Sequence, residues 1–271
     1  MCRFVAFKGK ERIVLKKLLN DSSNSLIFQS HSAKETKTGL NADGFGMGWY
    51  DQDIDGEPGV FKSIQPAWND ENLINISSKL RSDCFISHVR ASTVGDVSIA
   101  NCHPFVYKQF LFAHNGTIQH FNEIKKDLLL LLDQKYFSKI KGQTDSEHFF
   151  FLLCSIIENE LNVVSAQSLA KAISYGINQI NQLLEMHQFK NGYKMNAVLT
   201  DGKAMVAIRY SSDINKQPLS LYYSKSDSII IASECLTNTA NEWKQIPNNT
   251  ILIVDEKLNV TLDHISQYER K

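Results

Sequence analysis

The sequence has no excess charge of either sign: Lys and Arg together count 29 and Asp and Glu also 29, in 271 residues. No long basic run is interleaved with aromatic residues, which argues against a nucleic-acid binder. Apolar runs such as Leu128–Leu132 fall far below the roughly 20 residues that cross a bilayer. Lys8, Lys10, Glu11 and Arg12 arrive before any signal-peptide core can form. Cysteine is sparse, five in all with no C-x-x-C pair, so the expectation is reduced thiols in a cytoplasmic protein. Repeats, low-complexity segments and linkers are lacking too. What is there is a chain that is 43% hydrophobic, enough for a substantial core, read here as a single domain over residues 1–271.

Taken in order, Cys2–Lys8 reads as a strand stopped by Gly9, and Glu11–Leu19 as a short amphipathic helix. Leu26–Gln29 reads as extended and Ser30–Gly39 as a polar loop. In Asn41-Ala-Asp-Gly-Phe-Gly-Met-Gly-Trp-Tyr50 glycine recurs at every second position. That leaves one strand face bare, so another backbone or a ligand can come close. It lacks the helix start and lysine of a phosphate loop. Val60–Ile64 is the expected antiparallel partner, Asn69–Leu80 a helix behind an Asn cap, and Cys84–Arg90 a buried strand. Phe110–His114 is a strand broken at the turn pair Asn115-Gly116, with a helix over Gln119–Leu132. Thr144-Asp-Ser-Glu147 has the form of a capping box, and Ser165–Met186 is a longer helix. Met195–Thr200 and Ala204–Tyr210 flank Asp201-Gly202, a hairpin signal, and four short strands follow: Leu221–Ser224, Ile229–Ala232, Thr250–Val254 and Val260–Leu262. Strands, two helices, then strands suit an α+β fold of two antiparallel sheets with helices outside.

Several residues carry chemistry, each with an ordinary structural reading beside it. Cys2 follows the initiator Met, which aminopeptidases remove before a small side chain. The product would hold a thiol and a free α-amine of pKa roughly 7.7–8.0 on one residue. A retained Met1 would block that amine. Asn115 and Gly116 place an amide and a backbone N–H together, the two donors of an oxyanion hole, or form a turn. Arg90, at the end of an apolar strand, needs an anion: a bound carboxylate or a structural partner. Asp145 in a first helical turn suits the dipole, or an ammonium group. His88, His103, His114 and Cys102 match no zinc spacing, so neither metal nor cofactor is expected. Cys84, Cys154 and Cys235 read as inert core thiols.

In order, Cys2, Ser87-His-Val-Arg-Ala-Ser-Thr93, Ala113-His-Asn-Gly-Thr117 and Thr144-Asp-Ser-Glu147 resemble the glutaminase domain of class II glutamine amidotransferases, which are N-terminal-nucleophile hydrolases. The resemblance implies a four-layer αββα sandwich. It implies Cys2 as nucleophile with its own amine as base, Asn115 and Gly116 as oxyanion hole, Arg90 on an α-carboxylate and Asp145 on an α-ammonium. His114 and Gly44 would join the substrate-binding set. The segments 41–50 and Asn101-Cys-His-Pro-Phe105 are similar to stand-alone members, among them γ-glutamyl hydrolases of ergothioneine biosynthesis and of fungal glutathione degradation. Hydrolysis of a γ-glutamyl amide through a Cys2 thioester is the implied reaction. Two alternatives stand beside it: a glutaminase chain feeding ammonia to a separate synthase, and a non-catalytic γ-glutamyl-binding regulatory module. The implied partner is a small γ-glutamyl molecule, with no nucleic acid and no membrane, and paired copies of the chain are an open option.

Overall fold

The computed structural model describes residues 2–35, 39–161, 163–189, 192–239 and 241–268. Its strands run β1 (Arg3–Val14), β2 (Phe45–Trp49), β3 (Gly59–Ser63), β4 (Arg81–Val89), β5 (Phe105–Tyr107), β6 (Phe110–Thr117) and β7 (Lys194–Thr200). They continue as β8 (Met205–Ser211), β9 (Tyr222–Lys225), β10 (Ser228–Ala232), β11 (Trp243–Gln245), β12 (Thr250–Val254) and β13 (Val260–His264). The α-helices are α1 (Lys16–Leu19), α2 (Leu26–Ser32), α3 (Glu71–Ser77), α4 (Phe121–Leu130), α5 (Gln134–Phe137), α6 (Asp145–Glu160) and α7 (Ala166–Met186). Among the described residues the strands form two antiparallel sheets: β11-β9-β10-β1-β4-β2-β3 and β13-β12-β8-β7-β6-β5.

Side-chain alternation along the strands explains the stacking. Successive strand residues point to opposite faces, so a strand apolar throughout must be covered on both sides. In β1, Val5 and Phe7 pack with α1 and α2, whereas Phe4 and Ala6 meet the second sheet. In β6, Phe110 and Phe112 pack under α4, α6 and α7, whereas Leu111 and Ala113 face the first sheet. β8 and β12 divide their residues the same way, with Val206, Ile208, Ile251 and Ile253 outward and Met205, Ala207, Leu252 and Val254 inward. The result is helix, sheet, sheet, helix. Each fully buried Phe or Leu in these layers contributes roughly 1.5–3 kcal/mol.

Several local expectations give way to tertiary pairing. The helix expected at Glu11–Leu19 is strand as far as Val14, because Ile13 and Val14 pair with Ser82 and Arg81 across an irregularity after Lys8. Gly9 therefore does not stop the strand. Leu26–Gln29 is helical rather than extended, with Ser25 accepting the Phe28 N–H at 3.3 Å. The cap of α3 is Asp70, not Asn69. Thr144 caps α6, but the Glu147 carboxylate takes the N–H groups of Lys141 and Gly142 instead of closing a capping box. Cys84 and Cys154 are buried, while Cys235 is only half-buried. Residues 36–38 of the expected loop Ser30–Gly39 lie outside the described residues.

The glycine-rich strand β2 is approached by backbone. A Cβ on Gly46 would overlap the His103 carbonyl, and one on Gly48 would meet Leu111 and Pro104. The bare face thus seats the segment between the sheets that leads into β5.

Candidate active site

β1 and β4 pair with Arg3 opposite Val89, which carries Cys2 alongside Ala91. The Cys2 thiol donates to the Ala91 carbonyl and accepts the Ala91 N–H, both at 3.3 Å. Burial pushes this thiol up, against the pull of the Ala91 bond and the Arg90 charge. At neutral pH it is therefore a thiol, which needs a base to attack.

Cys2 opens on a cleft of about 370 Å³. Ala91 and Thr93 follow β4, Gly116 and Thr117 end β6, Tyr193 precedes the neighbouring strand β7 and Lys194 begins it. Lys216 and Leu219, from the loop after β8, complete the rim. The pairing of Asn115 with Asn196, Gly116 with Met195 and Thr117 with Lys194 holds this wall. Asn115-Gly116 is therefore strand, not the turn its composition suggests. Gly116 has φ +136°, and a Cβ there would run into the Lys194 carbonyl. The Asn115 amide nitrogen donates to Ser233 Oγ at 2.8 Å.

Arg90 is 3% exposed, and its guanidinium donates to the carbonyls of Val94, Gly95 and Asp96 and to Ser92 Oγ at 3.0–3.2 Å. All of these acceptors are neutral, and among the described residues Arg90 makes no ion pair. Asp145 is also 3% exposed. Its carboxylate accepts from Ile118 N–H at 2.7 Å and Ser146 N–H at 2.8 Å, again neutral partners. Neither side chain is among those lining the cleft: Arg90 adjoins the lining residue Ala91, and Asp145 holds Ile118, the residue after Thr117, so opposite buried charges stand behind two parts of its wall.

Like Arg90, Asn115 and Asp145, His114 and Gly44 are not among the residues lining the cleft. His114 Nδ1 is hydrogen-bonded to Ser146 Oγ at 2.8 Å, and the Gly44 carbonyl accepts the Arg90 N–H at 2.8 Å. Met1 lies outside the described residues. Tyr193, Lys194, Lys216, Ser233 and Glu234 lie outside the motifs read from sequence. Their proximity arises from strand register, which no local pattern encodes.

His88, His103 and His114 are buried beneath the cleft, the first two with ring centroids 4.2 Å apart. Burial, then the Arg90 and His114 charges, push His88 down to about 3, and burial lowers His103 and His114 as well. Among the described residues no cluster of His, Cys, Asp or Glu side chains could hold a metal ion. These folded-state values lie below the ordinary 6.5, so the unfolded chain takes up protons first as pH falls. Stability is then full above about pH 6.5 and drains as pH falls toward about 3. Replacing His88 with Asn should flatten that fall by about one proton, ~1.4 kcal/mol per pH unit, in urea midpoints measured from pH 6.5 to 4.5. An unaltered slope would mean that His88 is protonated in the fold.

A family model described as class-II glutamine amidotransferases matches residues 18–269. The probable glutamine amidotransferase DUG3 of Saccharomyces cerevisiae is 32% identical, over 99% of this chain and 85% of its own length. A gamma-glutamyl-hercynylcysteine sulfoxide hydrolase of Mycobacterium tuberculosis is 34% identical over 44% of this chain and half of its own. Among solved structures, a glutamine aminotransferase class-II domain protein from Silicibacter pomeroyi covers 97% of this chain and 99% of its own, at 26% identity and TM-score 0.68. The glutamine phosphoribosylpyrophosphate amidotransferase of B. subtilis shares the fold at 16% identity and TM-score 0.66, covering 97% of this chain and 49% of its own. No helix of the described residues is long and apolar enough to cross a membrane. The family model over residues 18–269 and the 32% identity over 99% of the chain, on an α+β sandwich of the N-terminal-nucleophile type, settle the family: the chain belongs to the class-II glutamine amidotransferases and is an amide-cleaving enzyme.

Proposed function

We propose that the protein hydrolyses the γ-amide bond of glutamine or another γ-glutamyl compound through a thioester on Cys2. The observation that carries this reading is that Arg90 and Asp145, each 3% exposed and each without an ion-pair partner among the described residues, stand one residue behind the cleft wall, next to Ala91 and bonded to Ile118 respectively. A buried charge left uncompensated is costly, and a zwitterionic glutamyl head group would satisfy both at once. Arg90 would take its α-carboxylate and Asp145 its α-ammonium.

With Met1 removed, the α-amine of Cys2 accepts the thiol proton as sulfur attacks the γ-carbonyl carbon. The oxyanion that forms is met by the Asn115 amide and the Gly116 N–H. The C–N bond breaks as the amine passes its proton to the leaving nitrogen. Water, deprotonated by the same amine, then cleaves the thioester and frees the glutamyl acid.

The test is steady-state hydrolysis of glutamine and of γ-glutamyl peptides by the processed chain. Asp145→Asn should raise KM about 10- to 100-fold with a smaller change in kcat, because a charge-assisted bond of roughly 1.5–3 kcal/mol to the bound ground state is lost. An unchanged KM would remove Asp145 from the substrate site. A processed, folded wild type that turns over neither class of substrate would favour the binding-module reading.

A further inference from the structure

Immediately past β10 stand two polar residues, Ser233 and Glu234, each 1% exposed, that the chemistry above does not use. Ser233 Oγ accepts the Asn115 amide at 2.8 Å and the Phe4 N–H at 2.9 Å. Its hydroxyl points to the Phe4 carbonyl at 3.4 Å, and its own backbone N–H donates to the same carbonyl at 3.1 Å. Glu234 gathers Arg3 Nε at 2.8 Å, the N–H groups of Glu35 and Lys34 at 2.9 and 3.1 Å, and the Asn24 amide at 3.4 Å. Arg3 in turn donates through Nη1 to the Cys2 carbonyl at 2.9 Å.

We infer that Ser233 and Glu234 are positioning residues: Ser233 orients the oxyanion amide, and Glu234 acts through Arg3 to fix the main chain of the nucleophile. The inference rests on the function proposed above. A side-chain amide nitrogen carries two hydrogens. Ser233 Oγ takes one, which leaves the other in a single direction. Flipping the amide would set Asn115 Oδ1 against a hydroxyl whose hydrogen is already directed at Phe4. The Cys2 carbonyl, held by the planar fork of Arg3, fixes rotation about the Cys2 Cα–C bond. Both the thiol and the α-amine radiate from that carbon. One short segment thus holds nucleophile, base and oxyanion donor together, where misplacement by about 1 Å costs on the order of 10²-fold in rate.

Two mild variants separate positioning from simple support. Arg3→Lys keeps an ion pair with Glu234, but one ammonium lacks the fork that also reaches the Cys2 carbonyl. Its kcat should fall about 10- to 100-fold per folded molecule with KM within about twofold of wild type. Ser233→Ala should lower kcat about tenfold at similar KM, and Ser233→Thr, which restores the hydroxyl, should recover most of it. Rates are normalised to the folded fraction by circular dichroism, so the Ser233 pair still decides if Arg3→Lys is poorly folded. With an active wild type, kcat values within twofold of it in Arg3→Lys and Ser233→Ala, or no recovery in Ser233→Thr, overturn this inference alone. A wild type that hydrolyses no γ-glutamyl substrate overturns the proposed function, and this inference with it.

Discussion

Cys2→Ala should abolish γ-glutamyl hydrolysis, with a loss of at least about 10⁴-fold in kcat, while the fold stays within about 1 kcal/mol of wild type. Both parts follow from the thiol's surroundings. Among the described residues its side-chain hydrogen bonds are the long pair to Ala91, and Cys2 is only half-buried, so little packing is lost. Alanine is also small enough for Met1 to be removed, so the variant keeps the amine and loses only the sulfur. Cys2 is the one thiol lining the cleft among the described residues: Cys84, Cys102 and Cys154 are buried, and the half-buried Cys235 lies outside the lining, each pushed up first by desolvation. Substantial residual turnover would mean that water is activated directly and that no thioester forms.

Asn115→Ala carries the second-largest expected loss, about 10²–10³-fold in kcat with KM little changed. The amide would serve the transition state more than the ground state, which is why the loss should fall on kcat. Removal of one oxyanion donor leaves the Gly116 N–H in place, so the loss is partial where that of Cys2→Ala is nearly complete. The truncation also frees Ser233 Oγ from one of its two donors, a modest cost because the Phe4 N–H still occupies it. A variant with unchanged kcat and raised KM would assign Asn115 to ground-state binding instead.

The same pair shows how far the sequence can be read. Asn-Gly is a turn signal by composition, yet here it closes β6, because β7 lies alongside and its Lys194 carbonyl leaves no room for a Cβ at 116. Local propensity yields to pairing in the same way at Ile13-Val14, where β4 extends a strand through a helical pattern. The layered architecture was legible because apolar runs such as Phe4–Phe7 and Leu111–Ala113 are buried on both faces. Cys2, Arg90, Asn115, Gly116 and Asp145 can be proposed from sequence because they fall in an ordered set of short motifs. Ser233 and Glu234 could not. They reach the site only through the register that sets Val5 opposite Ala232, a long-range fact with no local trace. Lys194 and Lys216 on the cleft rim are invisible for the same reason.

The most direct test of the account is the intact mass and peptide map of the protein after incubation with 6-diazo-5-oxo-norleucine, a glutamine-like electrophile. The account predicts a chain lacking Met1 that carries one adduct, located at Cys2 and suppressed by excess glutamine. A folded, processed chain that stays unmodified at Cys2, or one labelled equally at other cysteines and indifferent to glutamine, would contradict it.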